Sequence, residues 1–208
     1  MKFSRMKQSK KPDMVIYTKI LNDVYKCTLC AQQLELGPKP ILQMNPNAKI
    51  LLIGQAPGKQ AHEHGQPFLD PSGDRLRKWL GVDTSLFYNA NTLAIMPMAF
   101  CFPGKQKNGS GDKPPPKICS KTWHSLLRKQ LPNIELTILI GRYAAEYYLQ
   151  DFSNLTSTIQ TQDIKHGEFI LMPHPSPRNN IWLKKNSWFE TKTLPLIRQR
   201  LKEILSRI

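Results

Sequence analysis

Lys49-Ile50-Leu51-Leu52-Ile53-Gly54-Gln55-Ala56-Pro57-Gly58 is the stretch on which the fold turns. An unbroken apolar run that stops dead at a Gly/Pro turn is the pattern of a strand buried on both faces, because a half-exposed strand would alternate. Similar runs recur at 91–98, with Leu93, Ala94, Ile95 and Met96, at 135–141, with Leu136 to Ile140, and at 168–172. Between them apolar residues repeat at helical spacing: Leu76, Trp79 and Leu80 after a Ser72 cap, then Trp123, Leu126, Leu127 and Leu131, then residues 143–149. Strands buried on both faces and separated by helices imply a parallel sheet covered on each side. The expected fold is therefore α/β, a three-layer α/β/α sandwich around a central, mainly parallel four-stranded sheet. Asp13 caps a preceding helix carrying Val15, Ile16, Ile20 and Val24. A last helix, from about Leu194, places Leu194, Ile197, Leu201, Ile204, Leu205 and Ile208 on one face.

A chain of 208 residues can bury roughly 70% of its unfolded surface, so it needs no staples to hold a core. Thirty Lys and Arg against fifteen Asp and Glu give a formal charge of +15, and a hydrophobic content of 40% is too high for a disordered basic tail. That balance points to a folded protein with a polyanionic partner. No apolar run reaches the ~18 residues of a membrane helix, and the N-terminus has no signal-peptide core, so a soluble, cytoplasmic protein without membrane contact is expected, as a monomer. Residues 1–12 read as a basic flexible arm, and residues 13–208 as a single domain. Cys27, Cys30, Cys101 and Cys119 are then reduced thiols or metal ligands rather than disulfides. Residues 102–118, which lie between two of them, hold four lysines, three glycines and four prolines, a long loop of the kind that carries function.

In open parallel sheets ligands bind at the carboxyl ends of the strands, so the strand exits locate the site. Three exits are unusual: Gly54-Gln55-Ala56-Pro57-Gly58, Pro97-Met98-Ala99-Phe100-Cys101, and Pro173-His174-Pro175-Ser176-Pro177-Arg178-Asn179. They are expected to meet at one cleft. A phosphate-binding P-loop does not fit the first, which is one residue short and has Gln60 where the Ser/Thr belongs, and no dinucleotide fingerprint is present. His174, between two prolines, is held in a fixed direction. Phe68, in Gly65-Gln66-Pro67-Phe68, is either core or a stacking platform. Asp74 and Arg75 are positioned as an ion pair.

These exits resemble motifs of the uracil-DNA glycosylase superfamily, in particular its iron–sulphur-containing, family 4-like branch. Gly54 to Gly58 looks like the first motif, Gly65 to Phe68 with Ser72-Gly73 like the base-stacking loop, and His174-Pro175-Ser176-Pro177 like the second motif; the resemblance runs from about Cys27 to Arg178. It implies a DNA glycosylase that flips out uracil or another deaminated base and hydrolyses its N-glycosidic bond to begin base-excision repair. The alternative is a catalytically weak protein of the same fold that binds damaged or single-stranded DNA. Under the resemblance Phe68 stacks on the base, His174 hydrogen-bonds the base oxygen that gains negative charge, and backbone amides around Gln55 assist. Gly54, Ala56, Met96, Pro97 and Ser176 complete the base pocket. Lys105, Lys107, Lys113, Lys117, Arg178 and Asn179 are the expected DNA contacts, Arg178 filling the gap left in the helix. The four cysteines would hold a 4Fe–4S cluster, although their spacing equally permits structural zinc. Two departures stand out. Gln55 occupies the place of a Glu usual in that branch, which leaves Asp70, with His62 and Glu63 behind it, as the substitute carboxylate; and Pro97 occupies the slot of a base-reading Asn.

Overall fold

The computed structural model describes residues 12–107 and 111–207; residues 1–11 of the basic arm, 108–110 of the long loop and Ile208 lie outside the described residues. Four strands form the sheet: β1 (Ile50–Ile53), β2 (Leu93–Ile95), β3 (Leu136–Ile140) and β4 (Phe169–Met172). Their order is β2-β1-β3-β4 and every pairing is parallel, with Leu51 opposite both Ala94 and Thr137, and Leu139 opposite Leu171. All residues of β1, β2 and β3 are buried, which is why their sequences are apolar without alternation. The order changes direction at β1, so the chain leaves that strand into a crevice, the usual ligand position in such a sheet.

Helices cover both faces: α1 (Met14–Tyr25), α2 (Lys59–His64), α3 (Pro71–Leu80), α4 (Thr84–Phe87), α5 (Lys117–Arg128), α6 (Arg142–Tyr148), α7 (Leu155–Thr161), α8 (Asn180–Lys185) and α9 (Leu194–Leu205). Asp13 caps α1 as expected, accepting from Val15 N at 2.8 Å. In α9 the predicted stripe is buried at Leu194, Ile197, Leu201 and Ile204, while Arg198 donates from Nε to Trp79 O at 3.0 Å and ties α9 to the end of α3. Among the described residues no helix is long and apolar enough to cross a membrane.

Several local expectations are corrected. Asp70, not Ser72, caps α3: its Oδ1 accepts from Gly73 N at 2.8 Å, and Pro71 opens the helix with the fixed φ that position favours, leaving Ser72 buried inside the first turn. Asp74 pairs with Arg77 at 2.6 Å rather than with Arg75, because residues three apart share a helix face and adjacent ones do not. Arg75 instead donates from Nη1 to Asn180 Oδ1 at 2.8 Å and Ser176 O at 3.3 Å, joining α3 to the segment after β4. The long loop is also less irregular than expected. Lys105 and Asp112 form an antiparallel bridge, and α5 already begins at Lys117.

Candidate functional site

Residues from the three strand exits and the loop before α3 surround one cleft of about 390 Å³, within the range of small-molecule sites. Gly54, Gln55, Ala56, Pro57 and Gly58 line it from β1, Pro97 from β2, His174, Ser176, Arg178 and Asn179 from β4, and Phe68, Asp70 and Ser72 from the α3 side. Lys105 and Asp112 of the long loop form the remaining wall.

Phe68 is held in an unusual state. Its φ is +56°, the left-handed region that bulky residues avoid and that persists only when the surroundings enforce it. Two glycines make room: a methyl on Gly73 would sit 1.8 Å from Phe68 O, and one on Gly54 would sit 3.0 Å from Phe68 Cζ. The Tyr88 hydroxyl donates towards the carbonyls of Pro67 (3.1 Å) and Phe68 (3.3 Å), and Arg77 Nη1 reaches Phe68 O at 3.4 Å. The ring meets Phe87 edge-on, with centroids 6.1 Å apart, and remains half-buried. This backbone state is enforced from three sides, and the ring both packs against the core and lines the cleft.

His174 is oriented just as firmly. Ser176 N donates to His174 Nδ1 at 3.2 Å, so Nδ1 bears no proton and a neutral ring carries its hydrogen on Nε2. Burial lowers the imidazole pKa; the negative charges of Asp70 and Asp112 oppose that shift and the positive charge of Arg178 adds to it. Asn179 Nδ2 donates to His174 O at 2.7 Å and fixes the backbone. The ring is thus a neutral hydrogen-bond donor at the wall of the cleft.

The β2 exit rests on a residue that the sequence did not single out. His124, buried in α5, donates from Nε2 to Pro97 O at 3.0 Å and accepts from the Tyr148 hydroxyl at Nδ1, 2.6 Å away; its ring stacks on Phe100 with planes 5° apart. Burial pushes its pKa down to about 4. Since the folded value lies below the ordinary 6.5, the unfolded chain binds the extra proton first, so the stability this network supplies is present above pH 6.5 and lost as pH falls towards 4. The loss amounts to about 3 kcal/mol across that window. Chemical denaturation should show the wild type losing that much more stability between pH 7 and 4 than His124→Gln; parallel profiles would contradict the assignment.

With Pro97 O so engaged, and with Met96 N donating to Leu52 O and Met98 N to Gly54 O, both at 2.9 Å, this exit offers a base edge little beyond shape. Met96 itself, expected in the base pocket, is fully buried in the core and does not reach the cleft. Gln55 lines the cleft, but its Nε2 donates to Lys113 O at 3.1 Å, so the side chain fastens the long loop to the β1 exit. Among the described residues the backbone N–H groups of Gln55 and Ala56 donate to no protein acceptor, while Gln55 O accepts from Ala99 N at 3.1 Å. Asp70 presents Oδ2 near Gly58 while Oδ1 caps α3. His62 and Glu63 do not line the cleft; His62 lies beside Phe102 and Glu63 pairs with Lys59 at 3.7 Å.

Of the expected DNA contacts, Lys105, Arg178 and Asn179 border the cleft, and Lys107 and Lys117 are exposed beyond it. Lys113 is spent on Glu35, 2.6 Å away. The Arg178 guanidinium lies directly over Gly111, where φ is +130° and any side chain would overlap it, so the β4 exit and the long loop touch across the rim. Asp112 was not anticipated. Its place between Gly111 and Lys113 in a basic loop does not distinguish it from a surface acid.

Cys27, Cys30, Cys101 and Cys119 line a second, small apolar cavity with Leu29, Leu34, Pro38, Pro40, Ala99, Phe100 and Pro116. Burial above all pushes the Cys101 thiol up to about 11 and the Cys119 thiol to about 12; a backbone N–H donor, from Lys39 and Phe100 respectively, opposes the shift and the neighbouring sulfurs add to it. Four thiolates in such a wall would need a cationic core between them. Among the described residues no three His, Cys, Asp or Glu side chains are gathered closely enough to hold a metal ion as they stand. Four cysteines in one cavity are the donor type of an iron–sulphur cluster and of a structural zinc alike.

The family model described as Uracil DNA glycosylase superfamily matches residues 42–198. Among solved structures, the solution NMR structure of a Methanosarcina acetivorans protein described as a "putative Uracil DNA glycosylase" is similar at 17% sequence identity, covering 77% of this chain and 95% of that one, with a TM-score of 0.45.

Proposed function

The chain belongs to the uracil DNA glycosylase superfamily, and on that premise we propose that it extrudes a deaminated base, uracil foremost, from DNA and hydrolyses the N-glycosidic bond. The observation that carries this reading is the pairing, in one cleft, of an aromatic ring forced into a left-handed backbone state with a neutral imidazole that presents Nε2–H. Stacking on Phe68 is worth roughly 1–3 kcal/mol and offsets part of the cost of unstacking the base from the helix. As the bond to the sugar breaks, negative charge gathers on the base oxygens, where His174 Nε2–H and the free N–H groups of Gln55 and Ala56 can receive it. A wall of donors also explains the choice of base. Deamination replaces an amino donor with a keto acceptor, so a donor-lined pocket prefers the damaged ring to its parent. The net charge of +15 supplies the attraction to phosphate, with Lys105 and Arg178 at the rim.

In the same reading the four cysteines hold a 4Fe–4S cluster. When bound, it would act structurally, pinning the end of α1 and the start of α5 to the β2 exit and so steadying the long loop above the cleft. Purified protein is expected to be brown, with absorbance near ~400 nm, and to lose both colour and thermal stability in Cys101→Ala. Colourless protein carrying one zinc would favour the single-ion alternative.

The direct test of the function is release of free base from oligonucleotides carrying uracil, hypoxanthine or xanthine, with binding measured in parallel. Release of any of these by the wild type supports the glycosylase reading. Salt-sensitive binding without release would instead favour a damage-binding protein, a reading that the absence of a carboxylate at Gln55-Ala56 keeps in view.

A further inference from the structure

The first motif offers an amide at Gln55 and a methyl at Ala56 where water activation calls for a base, yet two carboxylates enter the cleft from elsewhere. Asp70 and Asp112 flank Gly58: a methyl built on Gly58 would lie 3.8 Å from Oδ2 of each. A methyl-sized space at Gly58 is therefore bordered by one carboxylate oxygen from each acid. The two acids are not equivalent. Asp70 is committed through Oδ1 to Gly73 N, and its direction is fixed by the cap of α3. Asp112 has Oδ1 paired with Lys105 Nζ at 2.7 Å in the half-exposed loop, and turns Oδ2 to the gap.

The loop that carries Asp112 is held in register by Gln106 N donating to Gly111 O and Lys113 N to Gly104 O, both at 2.8 Å. Gln55 Nε2 then fastens Lys113 O to the β1 exit. The side chain standing where a carboxylate is missing thus anchors the neighbour of a carboxylate supplied from another part of the chain. Both acids are close enough to His174 for their charge to act on its imidazole.

We infer that Asp112 is the catalytic carboxylate that holds and deprotonates the attacking water, with Asp70 as a second acceptor for the same water; this rests on the glycosylase reading given above. In the step, a water lone pair forms the bond to the sugar C1′ while the C1′–N pair leaves with the base. The water proton passes to Asp112 Oδ2, which later releases it to solvent, and the base anion, hydrogen-bonded to His174 Nε2–H, takes up a proton from solvent. The negative charge of Asp112 also lies on the side where positive charge develops on the sugar, an arrangement that stabilises the transition state.

The test compares single-turnover base release and DNA affinity for wild type, Asp112→Asn, Asp70→Asn and Gly58→Ala. Asp112→Asn is expected to slow release by roughly 10²-fold or more with affinity unchanged, as for loss of a general base. Asp70→Asn should cost less. Gly58→Ala is sterically acceptable, since both oxygens would be 3.8 Å away and φ is −78°, but its methyl fills the gap and should slow release without weakening DNA binding. Wild-type rates in Asp112→Asn, or a loss confined to Asp70→Asn, would overturn the assignment. Should Asp112→Asn fail to fold, a wild-type rate in Gly58→Ala would overturn it equally. If the wild-type protein itself releases no base, the glycosylase reading falls and this inference with it, whereas an active wild type with an active Asp112→Asn removes only the role of Asp112.

Discussion

His174→Ala is expected to slow single-turnover base release by roughly 10²–10³-fold while leaving DNA affinity nearly intact. The asymmetry follows from what the ring is built to do. Its Nδ1 is committed to Ser176 N, its backbone carbonyl to Asn179, and burial keeps it neutral, so the remaining Nε2–H is fixed in direction before any substrate arrives. A donor fixed in advance interacts most strongly where charge appears during reaction rather than where it exists in the ground state. Affinity resides instead in phosphate contacts spread over the basic surface. A variant that lost binding and kept its rate of release once bound would place His174 in recognition and not in catalysis.

Gly73→Ala should be strongly destabilising. The added carbon would overlap Phe68 O at 1.8 Å, and neither partner can move cheaply: Gly73 N is bonded to the Asp70 cap, and Phe68 O is bracketed by Tyr88 and Arg77. Overpacking of this sort costs about 1–3 kcal/mol and occasionally more. The same displacement would swing the Phe68 ring away from Gly54, so base release should fall by more than the loss of stability alone explains. Denaturant unfolding together with release assays at a temperature where the variant stays folded would separate the two effects. Unchanged stability would mean that α3 can slide, and that the left-handed Phe68 is not enforced.

The sheet was legible because its strands are buried on both faces, and double burial leaves short unbroken apolar runs whose ends, at Gly54, Pro97, Gly141 and Pro173, separate them from longer helices. The convergence of the three exits followed from the same fact, since parallel strands send all their carboxyl ends to one edge. What escaped were features created by tertiary approach. Short helices such as α2, α4 and α8 carry few apolar positions, so they show no periodicity. The cap of α3 was misplaced by two residues because both Asp70 and Ser72 are good caps, and only the backbone geometry chooses between them. Met96 was expected to meet the base through the backbone of residues 96–98, but Met96 N and Met98 N are bonded to Leu52 O and Gly54 O and the Met96 side chain is buried in the core. His124 and Asp112 were invisible for a different reason: each gains its role from a partner far along the chain, Pro97 in one case and the Gly58 turn in the other.

In the proposed reaction a nucleobase turned out of DNA is clasped between the ring of Phe68 and Nε2 of His174. A crystal structure of the protein with duplex DNA containing a non-hydrolysable deoxyuridine analogue tests it most directly. The expected result is a uracil ring lying against Phe68 with a keto oxygen within hydrogen-bonding distance of His174 Nε2. A uracil still stacked in the duplex, or lodged at a site that neither side chain touches, would contradict it.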